Sequence, residues 1–259
     1  DDDLILYMPF SENTINTSNR TYDRSPYGND GSLFDMNNGK PNNGTWTTGK
    51  YGYAMEFNGK DDYIDFGDLA LYDFGPNQSF SLEAWFKMPP SSSTESFTIV
   101  GKYDGEGWYI VIVPNTNRIQ FFTRDGVSGD SQSADVAGVA VPDDDKWHHV
   151  VGTRNYNVMK SYFDGVEIST NTGVGIDMSG SAAPLRIGAD QNGGSPFNGI
   201  IDEVKIYKRA LAPEEIRTQY LRGSGFGAMG AITADKFRIV NTSGSRKLEL
   251  NQTDFGVYT

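Results

Sequence analysis

Ser81-Leu82-Glu83-Ala84-Trp85-Phe86 decides how this chain is read. Leu82, Ala84 and Phe86 recur at every second position, a period that in an extended strand sends them to one face while Glu83 and Trp85 share the other. A large aromatic beside a charge on that second face predicts a sheet covered on both sides. Outward from this stretch, apolar or aromatic runs of similar length recur between clusters of Gly, Asn, Asp and Pro. Residues 4–9, 54–57, 63–66, 80–87, 97–102, 108–113, 118–124, 148–155, 159–163, 166–170, 185–189 and 199–207 read as strands. Asp164-Gly165 separates two of them by two residues, the pair that suits a type I′ hairpin turn, and Asn58-Gly59 follows another strand.

Composition agrees with an all-β class. The 259 residues include 30 Gly, 11 Pro and 13% aromatics, and this mixture suits short strands and turns better than long helices. One short helix is predicted over 212–220, where Pro213 stands at a helix start and Glu214 and Glu215 fall in the first turn. With no Cys, no disulfide holds the fold. A net charge of −12 argues against phosphate neutralisation, hence against nucleic acid as a partner. No apolar run reaches the roughly 18 residues of a membrane span, so no membrane insertion is expected. The chain opens on Asp1-Asp2-Asp3, as a processed or trimmed chain would, and Asn-x-Ser/Thr sequons begin at Asn16, Asn19, Asn43, Asn77, Asn241 and Asn251. The sequons suit either a glycosylated exterior protein or chance in an Asn-rich chain.

Three segments follow from this: a body over 1–221, a Gly-rich linker over 222–230, and a hairpin tail over 231–259. About thirty residues bury no core of their own, so the tail is expected to dock, to self-associate with another copy or to continue into further sequence.

The residues also carry a resemblance. Leu4-Ile5-Leu6-Tyr7-Met8-Pro9-Phe10, Tyr22-Asp23-Arg24-Ser25-Pro26-Tyr27-Gly28-Asn29-Asp30-Gly31 and the run from Gly49 through Phe57-Asn58-Gly59 to Ile64 occur in order. Ser81–Phe86, Trp147-His148-His149-Val150-Val151-Gly152-Thr153, Tyr162-Phe163-Asp164-Gly165 and Ile201-Asp202-Glu203-Val204-Lys205-Ile206-Tyr207 continue the series. Together these resemble laminin-G-like domains of the concanavalin A-like lectin/glucanase superfamily. The resemblance implies a jelly-roll sandwich of two antiparallel sheets, one concave and one convex.

The two His are neighbours, so a strand sends them to opposite faces; one is expected to pack inward and one to face solvent, and they cannot converge on one zinc ion. The glucanase branch carries Glu-x-Asp-x-x-Glu on one strand, and that spacing is missing here, which argues against glycoside hydrolysis. The same branch holds a structural calcium. Carried over, its ligands would be the Asp202 side chain with the carbonyls of Gly59 and Pro9, and Asp23 and Asn29 nearby; the alternative makes Asp202 a cap for turn amides. Asp61-Asp62 and Asp143-Asp144-Asp145 are further acidic clusters, read either as calcium ligands or as solvated loops.

Sugar recognition asks for an aromatic platform beside hydrogen-bonding groups. Trp108, Tyr109, Phe121, Phe122, Arg124 and Tyr162 fall on strands that could line the concave sheet, and alternation allows only about half to do so. Trp46, Trp85 and Trp147 read as packing residues. The loop holding Asp190 and Asn192 is either a binding rim or an ordinary hairpin loop. The expected function is a noncatalytic carbohydrate- or glycoconjugate-binding adhesion module of an exported protein, at the extracellular or cell or virion surface, with structural calcium. The alternative is an assembly module of a surface layer, filament or virion, and behind it a glycan-degrading enzyme.

Overall fold

Period-two patterning becomes two packed sheets. In this computed structural model the described residues are all those outside 12–18, 35, 37–45, 91–94, 114–117, 127–130, 136–143, 173–174, 225–235, 241–246 and 252–259. The strands run in chain order as β1 (Leu4–Met8), β2 (Arg20–Thr21), β3 (Gly31–Phe34), β4 (Trp46–Thr48), β5 (Tyr53–Asn58) and β6 (Tyr63–Asp65). Next come β7 (Phe80–Lys87), β8 (Phe97–Tyr103), β9 (Gly107–Val113), β10 (Arg118–Arg124) and β11 (Ser131–Asp135). The body closes with β12 (Trp147–Asn155), β13 (Val158–Phe163), β14 (Val166–Thr172), β15 (Leu185–Ile187), β16 (Asn198–Tyr207) and the helix α1 (Pro213–Gly223). The tail adds β17 (Lys236–Val240) and β18 (Lys247–Asn251).

The first sheet has the order β14-β13-β12-β7-β16-β5-β4, with β1 also paired to β16. The second has the order β11-β10-β9-β8-β15-β6-β3-β2. Their antiparallel strands alternate between a shared core and two outer faces. Leu82, Ala84 and Phe86 of β7 meet Trp108, Ile110 and Ile112 of β9 in that core, all essentially without solvent contact. This is the jelly-roll sandwich that the sequence resemblance implies.

The outer face of the first sheet is covered around Trp85 of β7. Ala212 precedes α1 with its N–H donating to Glu215 Oε2 at 2.9 Å, and Arg209 pairs with the same carboxylate, so the helix start is pinned to the end of β16. Ile216 is buried, and Tyr220 stacks on Trp85 at 5.9 Å. The helix runs to Gly223, so Arg222 and Gly223, read above as linker, belong to it. A Cβ at Gly223 would collide with the Trp85 ring; this glycine allows close approach rather than flexibility. In the tail, β17 pairs with β18 and, among the described residues, with no strand of either sheet.

Candidate functional site

The covered face gathers charge. Glu83 and His149 are both fully buried, with Glu83 Oε1 3.1 Å from His149 Nε2 and 3.3 Å from Lys205 Nζ. Lys205 also meets Glu203 Oε2 at 3.2 Å, and the Tyr7 hydroxyl donates to Glu203 at 3.1 Å. Burial alone would raise the Glu83 carboxyl, but Lys205 and His149 bring it below the ordinary carboxylate range. His149 also packs 4.9 Å from Trp85, beneath α1. His148 is the less buried of the two: it stacks on Phe163 at 5.0 Å and sits between Asp164 Oδ2 at 2.9 Å and Asp144 Oδ1 at 3.2 Å. Burial would lower the His148 pKa, and the two carboxylates raise it above its usual value. Both histidines therefore hold structure, and the fully enclosed one is on the outer face rather than in the core.

The five residues carried over for calcium do not form one site. Gly59 donates its N–H to the Phe197 carbonyl, next to Asn198, whereas Asp202 lies four residues further along β16, roughly 13 Å away. A bulge between Asp202 and Lys205, with Glu203 at φ 54°, turns Asp202 and Glu203 to the same face instead of opposite ones. Asp202 Oδ2 then accepts the N–H groups of Lys50 at 2.8 Å and Tyr51 at 3.1 Å, and Oδ1 accepts that of Glu203 at 2.8 Å. Burial pushes its carboxyl up to about 7. Asp23 and Asn29 do meet, but through the Asn29 N–H donating to Asp23 Oδ2 at 2.9 Å; Asp23 Oδ1 accepts from Tyr7 N at 2.9 Å and Ser25 N at 2.8 Å. Pro9 follows β1 and takes the Ser11 hydroxyl on its carbonyl at 3.3 Å. With these oxygens taken by backbone amides, Asp202 and Asp23 cap turns in this structure, the alternative that the sequence offered for Asp202.

The remaining acidic clusters behave similarly. Asp62 Oδ2 accepts the Asn58 N–H at 2.9 Å and Asp61 Oδ1 accepts the Asn58 side-chain amide at 2.6 Å. Asp144 pairs with Lys146 and Asp145 with Lys87, while Asp143 lies outside the described residues. Among the described residues no three His, Cys, Asp or Glu are placed to hold a metal ion. Of the sequons, Asn19 and Asn77 are exposed, Asn251 ends β18, and Asn16, Asn43 and Asn241 lie outside the described residues.

The outer face of the second sheet is different. Trp108 and Phe121 point into the core, where the Trp108 indole donates to the Tyr72 carbonyl at 2.9 Å. Their neighbours Tyr109 and Phe122 point out and stack at 4.8 Å, with Tyr103 edge-on to Tyr109 at 4.9 Å. Arg124 flanks them, donating to the Tyr103 hydroxyl at 3.4 Å. A groove of about 220 Å³ opens here, floored by Gly101 and Val111 and bordered by Tyr103, Tyr109, Gln120 and Asp190.

Asp190 lines this groove from a loop that it closes itself. Its Oδ1 accepts the N–H groups of Asn192 at 3.0 Å and Gly194 at 2.7 Å, which places Asn192 in the rim's turn rather than on the groove wall. Arg186 fastens the loop from below, donating to the Asp190 carbonyl at 2.9 Å and to Asp65 Oδ2 at 2.8 Å.

Two expected platform residues are elsewhere: Trp108 is core, and Tyr162 is on the first sheet, buried with Leu211 and Ile216 under α1. Tyr103 and Gln120 were missed. Gln120 alternates with Ile119 and Phe121, a pattern that marks it as outward. Tyr103 is hidden by a bulge between Thr98 and Val100 that shifts the parity of β8.

Sequence comparison supports what the geometry outlines: the Laminin_G_3 family model, described as concanavalin A-like lectin/glucanases superfamily, matches residues 58–217, more than half of the chain. The chain belongs to the concanavalin A-like lectin/glucanases superfamily. Within that superfamily fold, it is similar to domain 4 of AbnA, a GH43 extracellular arabinanase from Geobacillus stearothermophilus, in complex with arabinotriose. That match has 25% identity and a TM-score of 0.58 and covers 83% of this chain and 97% of that one. The binding domain of Paraclostridial Mosquitocidal Protein 1 shares the fold at 16% identity and a TM-score of 0.65, over 85% of this chain and 52% of that one. Adhesion G-protein coupled receptor V1 of Danio rerio is 26% identical over 145 residues, 53% of this chain but only 2% of the receptor.

Proposed function

We propose that this superfamily member is a noncatalytic module of an exported or surface protein that binds a carbohydrate in the groove of the second sheet and so serves adhesion. One observation carries the reading: the stacked Tyr109–Phe122 pair, with Tyr103 against it, stays open on a sheet face beside the polar rim of Asp190 and Gln120. Aromatic rings offer flat apolar area to a sugar ring, and the rim offers acceptors and donors to its hydroxyls. The similarity to a domain solved with arabinotriose supports the same chemistry. The ligand is uncharged in this reading, because Arg124 is engaged by Tyr103 and Arg186 by Asp65, and the chain itself carries −12. Catalysis is disfavoured because Asp190 is the one carboxylate among the groove's described lining residues, and glycoside hydrolysis needs a second one facing it.

A glycan array tests this. Neutral oligosaccharides should bind the wild type, binding should fall at least tenfold for Tyr109→Ala, and no reducing ends should be released. Binding confined to acidic glycans, or unaffected by Tyr109→Ala, would sink the proposal.

A second reading, assembly through the tail, rests on β17 and β18 forming a two-stranded ribbon with an outer edge on each strand. Removing residues 225–259 should then abolish concentration-dependent association in light scattering; an intact chain that stays monomeric argues against it.

A further inference from the structure

We infer that the groove is one half of a longer surface, and that its occupant is an extended oligosaccharide chain laid across the strands and contacted a second time at Tyr63 and Phe34. This rests on the sugar-binding reading above. The register supplies the geometry. Phe122 faces Tyr109, Tyr109 faces Gly101, Gly101 faces Arg186, Arg186 faces Asp65, and Asp65 faces Ser32, so one row crosses six strands of the second sheet on a single face. Tyr63 and Phe34 stand two residues from Asp65 and Ser32 on that same face and are themselves a cross-strand pair.

This second platform is built. The rings of Tyr63 and Phe34 are 4.9 Å apart with planes within 6° of parallel, and the Arg186 guanidinium carbon sits 4.3 Å from the Tyr63 ring centroid. Arg186 is itself fixed by Asp65 and by the carbonyls of Asp190 and Gln191, so one side chain ties the second platform to the rim of the first. Phe34 is 41% exposed although it lies on a strand whose neighbours pack into the sheet. A ring held in place and left open beside a sugar groove is the feature a further subsite requires. Beside the first platform Asp190 Oδ2 takes neither of the loop's own amides, which leaves it as an acceptor for a sugar hydroxyl.

Three strand spacings separate β9 from β6, roughly 14 Å. That exceeds one sugar ring, so a ligand touching both Tyr109 and Tyr63 is a chain and not a terminal residue. Floor and flank agree: at Gly101 a Cβ would come within 2.6 Å of Tyr109 Cβ, and the path between platforms carries no side chain there.

Calorimetric titration with arabinose oligosaccharides, from the disaccharide to the hexasaccharide, tests this, alongside the same series of any neutral sugar that the array returns. Affinity should rise with length. Phe34→Ala should weaken the hexasaccharide about tenfold and leave the disaccharide unchanged, while Tyr109→Ala weakens every length. Affinity independent of length, or a Phe34→Ala protein that binds the hexasaccharide like wild type, overturns the second subsite and leaves the groove standing. If no oligosaccharide of any length binds, the groove reading falls first and this inference with it.

Discussion

The two outer faces of the sandwich carry similar raw material and put it to opposite use. On the first sheet, Trp85, Tyr162 and Tyr207 point away from the core, yet α1 and its flanking turns seal them in with Glu83, His149 and Lys205. On the second sheet, Tyr103, Tyr109 and Phe122 also point away from the core, and a groove opens over them. Outward aromatics are therefore ambiguous until the covering element is known. Beneath α1 Glu83 finds its partners in His149 and Lys205, buried with it; around the groove a ligand can supply the partners.

The sharpest way to break this comparison is to truncate one side chain on each face. Glu83→Ala leaves His149 and Lys205 without their shared carboxylate and should cost about 3–5 kcal/mol, lowering Tm by roughly 10 °C. Tyr109→Ala should change stability by less than about 1 kcal/mol while weakening sugar binding at least tenfold. Denaturant melts and titrations on the same two proteins read both quantities. Equal stability losses would show that the second face is core as well.

Next in size is the helix contact. Gly223→Val drives a side chain into the Trp85 ring and should cost about 1–3 kcal/mol, seen in melts and as faster amide exchange over α1, with groove binding untouched. A wild-type melt would mean that the end of α1 does not seal Trp85.

Proton linkage sharpens the contrast further. Asp202 is raised by burial to about 7, above its unfolded value near 3.9. Its stabilisation is complete below the unfolded value and is lost as pH rises through about 7; His148, raised by Asp164 and Asp144 against its burial, loses its share in the same direction. Glu83, held low, acts oppositely and loses its contribution as pH falls through its folded value. Urea midpoints should therefore decline from mildly acidic pH toward pH 8, and Asp202→Asn should reduce that slope. An unchanged slope in the variant would remove Asp202 from the account.

The smallest expected effect is that of chelation. With Asp202 and Asp23 filled by backbone amides, removing divalent cations should leave Tm and groove affinity where they were. A chelator-dependent Tm would restore a calcium site and require these caps to open.

Much of the fold was legible because the alternating stretches impose it. The strand read at 80–87 is β7, that at 118–124 is β10, and the Asp164-Gly165 turn joins β13 to β14 as its chemistry demands. The short strands β2, β3, β4 and β11 went unread, since segments of two to five residues are too short to display a period. The site was half legible. Tyr109, Phe122 and Arg124 share a parity that the sequence displays, but choosing Trp108 and Tyr162 required knowing which face was core and which sheet was capped by α1. The bulges in β8 and β16 reset parity without a residue signature, which hid Tyr103 and put Asp202 and Glu203 on one side.

Gly101 has a consequence for how such a groove can change over generations. Because even a methyl group there meets Tyr109, the floor offers almost no room for inherited variation, and drift in ligand preference must proceed through the Asp190 loop and positions such as Gln120. A lineage built on this face would diversify at its rim and keep its floor, acquiring new tastes by rewriting a loop while the sheet beneath stays the same.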